Sequence, residues 1–139
     1  MSDPASIARD YLETFNRRDW DHFLALFAPE YTYTGGDGQT QHGPAAGLAV
    51  AQVFSNAMSD AHIEIKTVHT AGNVAIVEFI GSGTHDGDFA GIAPTNKKVT
   101  MPVVTILEIK GDKIAAEREY MDIAHLMQQI GALPAPATA

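Results

Sequence analysis

The sequence has no cysteine. Disulfides, thiol catalysis and thiolate metal sites are excluded together. Basic residues are scarce: 9 Lys and Arg stand against 17 Asp and Glu, a formal charge of −8. A surface that holds a phosphate backbone needs the opposite balance, so no nucleic-acid partner is expected. An anionic membrane surface is disfavoured for the same reason. No apolar run reaches the roughly 18 residues of a transmembrane helix. The start, Met1-Ser2-Asp3-Pro4, has no basic region and no apolar stretch behind it, so no secretory signal is expected. The expectation is a soluble, cytoplasmic protein. The 6 histidines show no HxH or HExxH spacing, so no metal is expected. Gly35-Gly36-Asp37-Gly38 lacks the Lys-Ser/Thr of a phosphate loop, and no Gly-x-Ser-x-Gly elbow occurs.

What is present is enough for one domain. The chain has 139 residues, 45% of them hydrophobic, a length that buries a core without disulfides. No internal repeat and no linker interrupts it. The expected domain spans 1–133, and the Pro- and Ala-rich segment 134–139 reads as a loose end.

The first third has helical spacing. Ser2 or Asp3 can cap a helix with Pro4 in its first turn. Ile7, Tyr11 and Phe15 recur four apart on one face. Asp19 can cap a second helix with Trp20, Phe23, Leu24 and Phe27 as its stripe and Pro29 as its stop. Tyr31-Thr32-Tyr33-Thr34 has strand composition, and a short second strand is expected after the glycine turn. Gly43-Pro44 opens a third helix. From Ala61 the period changes to two: Ile63, Ile65 and Thr67 alternate with His62, Glu64 and Lys66. Further strands are expected over 74–84, 98–110 and 113–121, and a short helix from about Asp122 to Ile130 ends at Gly131. The fold class is α+β: a cone-shaped, curved antiparallel sheet wrapped over N-terminal helices. Such a cone leaves a pocket between sheet and helices, the default ligand site.

Strict alternation along the last strand puts Ile114, Ala116, Arg118, Tyr120 and Asp122 on one face. That face begins apolar, so it is expected to point inward, and Glu117 and Glu119 are expected to meet water or a partner. Asp122 then stands at the inner edge of the sheet as a candidate general acid/base, because burial raises a carboxyl pKa. An Asp directly before a helix is also an N-cap, and the spacing leaves both roles open. Tyr31 and Tyr33 share a face and can line a pocket, with one hydroxyl polarising a carbonyl. His85-Asp86 reads either as a base with its orienting carboxylate or as a loop pair. The strand over 98–110 is apolar on both faces at its centre, with Val103 on one and Val104 and Ile106 on the other. Its second face suits either the protein's own helices or a second subunit, and a homodimer is the expectation.

Three stretches carry a resemblance. They are Gly83-Thr84-His85-Asp86-Gly87-Asp88-Phe89-Ala90-Gly91-Ile92-Ala93-Pro94-Thr95-Asn96, then Ile109-Lys110-Gly111-Asp112-Lys113-Ile114, then Asp122 through Gln128-Gln129-Ile130-Gly131. Phe15-Asn16 and Gly43-Pro44 add to it. The chain resembles the SnoaL-like polyketide cyclases of the nuclear transport factor 2-like superfamily. The resemblance implies a cofactor-free acid/base enzyme that closes a ring by intramolecular aldol chemistry on a bulky, apolar or aromatic carbonyl compound. It implies Asp122 as the acid/base; Tyr33, His85 and Tyr120 are this chain's own candidates for supporting polar groups, which the family pattern does not supply. Val103 and Thr105 stand at substrate-facing positions where those cyclases carry Gln and His. The same scaffold also hosts epoxide hydrolases, ketosteroid isomerases and non-catalytic binding modules, which remain alternatives.

Overall fold

The computed structural model describes residues 3–134. The expected loose end therefore lies, beyond Pro134, outside the described residues, as does Ser2. The element order is α1 (Pro4–Arg17), α2 (Trp20–Ala25), β1 (Phe27–Thr34), β2 (Thr40–His42), α3 (Pro44–Ala57), β3 (His62–Ala71), β4 (Val74–Thr84), β5 (Lys98–Lys110), β6 (Lys113–Met121) and α4 (Ile123–Gln129). The strands form one curved open sheet in the order β2-β1-β6-β5-β4-β3. The meander from β3 to β6 is antiparallel, as alternation and tight turns dictate. The sheet is not wholly antiparallel, however: β1 lies parallel to β6. No helix among the described residues is long and apolar enough to cross a membrane.

The helices cover the concave side. Asp3 caps α1 by accepting from the Ser6 N–H at 2.8 Å. The buried stripe of α1 is Ile7, Tyr11, Leu12 and Phe15. Its last turn is tied to the free edge of the sheet. Asn16 donates to the Ile63 carbonyl at 2.8 Å and accepts from the Ile63 N–H at 2.7 Å, so its amide pairs with β3 as a strand would. At the other end of the sheet Gly47 lets α3 settle on β1, where an added Cβ would stand 2.8 Å from the Phe27 and Tyr31 rings.

Two departures from the expected pattern share a cause. Phe27 does not extend α2. The helix stops at Ala25, the Ile114 N–H donates to the Leu26 carbonyl at 2.8 Å, and Phe27 enters β1 against Ile114. A backbone partner on β6 outweighs the helical spacing. In β3, Ile65 pairs with Phe79 but Thr67 pairs with Glu78, so Lys66 is an extra residue and the inner face passes from Ile65 to Val68. A bulge of this kind shifts the alternation by one.

Replacing Asn16 by Ala removes both edge bonds and leaves backbone groups of Ile63 without them. A loss of about 1–3 kcal/mol is expected in denaturant unfolding, with the loop 85–97 and the cavity unaffected. A loss near zero would show that water replaces the amide there at no cost.

Candidate functional site: a carboxyl pair beside a largely apolar cavity

The cavity lies between the concave face of the sheet and the helices, with about 750 Å³ of space free of protein atoms, mouth included. Its walls are apolar: Leu12 and Phe15 from α1, Val50, Ala51 and Phe54 from α3, Phe79 from β4, Met101 and Val103 from β5, and Leu126 from α4. Glu119 is the carboxyl in this lining, beside the hydroxyls of Tyr11 and Tyr33, with His62 the lining histidine. A few polar groups converging in an apolar cavity are the expected form of a small-molecule site.

The inward aim of Glu119 corrects the alternation read from the sequence. Glu108 of β5 pairs with Ala116, but Ile109 pairs with Ile114, so Ala115 has no partner. Ile114 is fully buried on the inner face. After the extra residue the inner positions are Glu117, Glu119 and Met121, and the outer ones are Ala116, Arg118 and Tyr120. The expectation that Glu117 and Glu119 meet water is overturned: Glu117 is 2% exposed.

The two carboxyls have different surroundings. Oε1 of Glu117 accepts from the Tyr11 hydroxyl at 2.6 Å and from the Tyr31 hydroxyl at 2.7 Å, and Oε2 accepts from the Thr105 hydroxyl at 2.7 Å. Glu119 accepts from the Tyr33 hydroxyl at 2.9 Å. The donors are fixed by their own packing. Tyr11 and Tyr31 belong to an aromatic layer with Phe23 and Phe27, in which the Phe27 and Tyr31 ring centres are 4.0 Å apart. No Lys, Arg or His among the described residues forms an ion pair with either carboxyl. Burial pushes Glu119 up to about 8, and the neighbouring Glu117 adds to the rise. Burial also raises Glu117, against the pull of its three hydroxyl donors. Burial first, and these carboxyls second, hold the Tyr11, Tyr31 and Tyr33 hydroxyls protonated well above the ordinary tyrosine range.

The residues singled out from the sequence are distributed differently. Tyr33 and Val103 line the cavity. Thr105 is buried behind it on Glu117. Tyr120 is 45% exposed on the outer face of the sheet. His85 is buried outside the lining, its Nδ1 3.0 Å from the Thr95 hydroxyl, and its Nε2 has no hydrogen-bond partner among the described residues. Asp86 turns away from His85 to accept from the Ser59 backbone and hydroxyl. Asp122 is exposed and caps α4, accepting from the His125 N–H at 3.0 Å. It borders a shallow outer groove with Tyr120 and Pro102, not the cavity. Glu117 and Glu119 were legible only as two acids sharing a face, since a bulge leaves no mark in a period-two pattern. No three His, Asp or Glu side chains converge on a metal position among the described residues.

Residues 5–130 match the family model described as SnoaL-like polyketide cyclase. Solved structures of the same architecture include two from Streptomyces species and one from Catenulispora acidiphila. AclR of Streptomyces galilaeus, a provisionally assigned hydroxylase, is 18% identical with a TM-score of 0.86 over 97% of this chain and 85% of its own. IdmH of Streptomyces antibioticus, a provisionally assigned polyketide cyclase, is 19% identical with a TM-score of 0.82 over 94% of this chain and 99% of its own. A Catenulispora acidiphila protein with a ketosteroid isomerase-like fold, solved with trimethylamine, is 21% identical with a TM-score of 0.78 over 99% of this chain and 100% of its own. At such identities the likeness establishes the nuclear transport factor 2-like fold. No curated protein matches the chain. With nine-tenths of its length inside the family match, the chain belongs to the SnoaL-like polyketide cyclase family.

Proposed function

We propose that the protein is a cofactor-independent acid/base enzyme for a bulky, neutral carbonyl compound, with Glu119 as the group that moves the proton. The observation that carries this reading is the one carboxyl in the lining, joined to the Tyr33 hydroxyl at 2.9 Å, in a mostly apolar cavity. The cavity has no lysine or arginine in its lining, and its acidic surroundings disfavour an anionic ligand. Aldol ring closure breaks a C–H bond beside one carbonyl, forms a C–C bond to a second, and delivers a proton to the second oxygen. A single carboxylate can take the first proton and return it, so nothing is consumed. A carboxyl pushed up to about 8 is a stronger base than an ordinary one once ionised, and it sits near the working pH. The Tyr33 hydroxyl is placed to steady negative charge on Glu119 or on a developing enolate.

The test needs only a bulky aromatic ketone in D₂O. Deuterium entering beside the carbonyl reports proton abstraction. Glu119→Gln is expected to slow it by about 10²–10⁴-fold. Asp122→Ala is expected to leave the rate unchanged and to lower stability by about 1 kcal/mol through loss of the cap. The reverse pattern would move the chemistry to Asp122. A ketone that binds the wild type and takes up no deuterium above the buffer rate would leave a binding module.

The same carboxyl sets a pH dependence. The base form is the ionised one, so the exchange rate is expected to rise with pH and level off above about 8. Stability runs the other way. A carboxyl raised in the folded state favours folding below its unfolded value, near 4.5, and that contribution is lost as pH climbs to about 8. Denaturant midpoints measured from pH 4.5 to 8 are expected to fall less in Glu119→Gln than in the wild type. Parallel slopes would contradict the raised value.

The homodimer is proposed on the outer face of the sheet. Ile76 and Ile80 of β4 and Val104 and Ile106 of β5 are half-buried there, and Tyr120 is exposed. Sedimentation analysis of the wild type is expected to give twice the chain mass, and Val104→Glu to give the single mass. A wild-type monomer would overturn this.

A further inference from the structure

The geometry points to Glu117 as a positioning residue that keeps the pair's proton on Glu119, although Glu117 itself does not reach the cavity. The inference rests on the reading of Glu119 as the acid/base. A carboxylate offers about four acceptor sites, and three on Glu117 are filled by hydroxyl protons from three separate elements. Glu119 receives one. Three donated hydrogen bonds favour the ionised form, and one favours it less. Alternation places the two side chains on the same face two residues apart, where both cannot ionise freely in apolar surroundings. The first proton to leave the pair therefore leaves Glu117. Its charge then holds the remaining proton on the carboxyl that faces the ligand.

The groups around the pair leave no other charge to do this. Tyr11 comes from α1, Tyr31 and Tyr33 from β1, and the neutral Thr105 from β5. The α3 segment contains no titratable residue. On α2, Asp21 is exposed and His22 is paired with Asp10 at 2.7 Å. His62 of β3 is exposed at the cavity wall. The Glu108–Arg118 ion pair lies on the opposite face of the sheet.

The experiment is a ¹³C NMR titration of the protein labelled at the glutamate carboxyls, with Glu119 assigned by its loss in Glu119→Gln. In the wild type its midpoint is expected near 8. In Glu117→Gln, which keeps the shape and removes the charge, the midpoint is expected to fall by about one unit or more. Thr105→Val is the second variant, should the first fail to fold. Removing one donor makes Glu117 harder to ionise, so the proton moves toward it and the Glu119 midpoint also falls. A purely structural Glu117 predicts lower melting temperatures with the Glu119 midpoint unmoved, and that result overturns the inference. An ordinary midpoint near 4.5 in the wild type overturns the proposed function instead. The difference between wild type and variants then still decides for or against Glu117.

Discussion

Ala115 has no partner across β5, and the consequence reaches the carboxyls and the tyrosine hydroxyls that meet them. Two neighbouring strands can keep their hydrogen bonds on either side of one extra residue only if the side chains beyond it change face. Ile114 before it is fully buried, and Glu117 after it is buried too. An acid turned into a core is costly unless donors meet it. Tyr11, Tyr31 and Thr105 meet Glu117, and Tyr33 meets Glu119. The bulge thus needs tyrosines at those positions on α1 and β1, and the tyrosines need the aromatic layer that orients them. Without the bulge, regular alternation would turn Ala116, Arg118 and Tyr120 inward, and the four hydroxyls would lose the carboxyls they bond.

This network also joins the layers. One carboxyl receives donors from α1, β1 and β5 while standing on β6. β1 runs parallel to β6 beside it with Tyr33 opposite Glu117, and the hydroxyls of Tyr31 and Tyr33, two residues apart, reach Glu117 and Glu119. The same contacts that fix the helices over the sheet therefore fix the candidate site. Site geometry and fold stability are coupled here, and a change at Glu117 acts on both.

Much of the fold was legible because most segments follow a single rule. Pro4 and Pro44 at helix starts, the 3.6-residue stripe of α1 and the turn at Gly111-Asp112 all act locally. What was not legible depends on partners far along the chain. Phe27 reads as helical until β6 supplies a backbone to pair with. Lys66 and Ala115 read as ordinary members of alternating strands, because a bulge is defined by the neighbouring strand and not by its own residue. The site suffered most, since its parity is reckoned across Ala115: Tyr33 and Val103 do line the cavity, while the inward aim of Glu117 and Glu119 was inverted. Asp122, the last residue of that reckoning, caps α4 at the surface.

The fold is settled by its relatives, but the reaction depends on which acid the ligand meets. A crystal structure with a neutral aromatic ketone bound addresses that directly. The account predicts the ketone inside the cavity, with the carbonyl oxygen or the adjacent carbon within hydrogen-bond reach, about 3 Å, of Glu119 and the Tyr33 hydroxyl. A ketone seated in the outer groove beside Asp122 and Tyr120, with the cavity closed around Glu119, would contradict it.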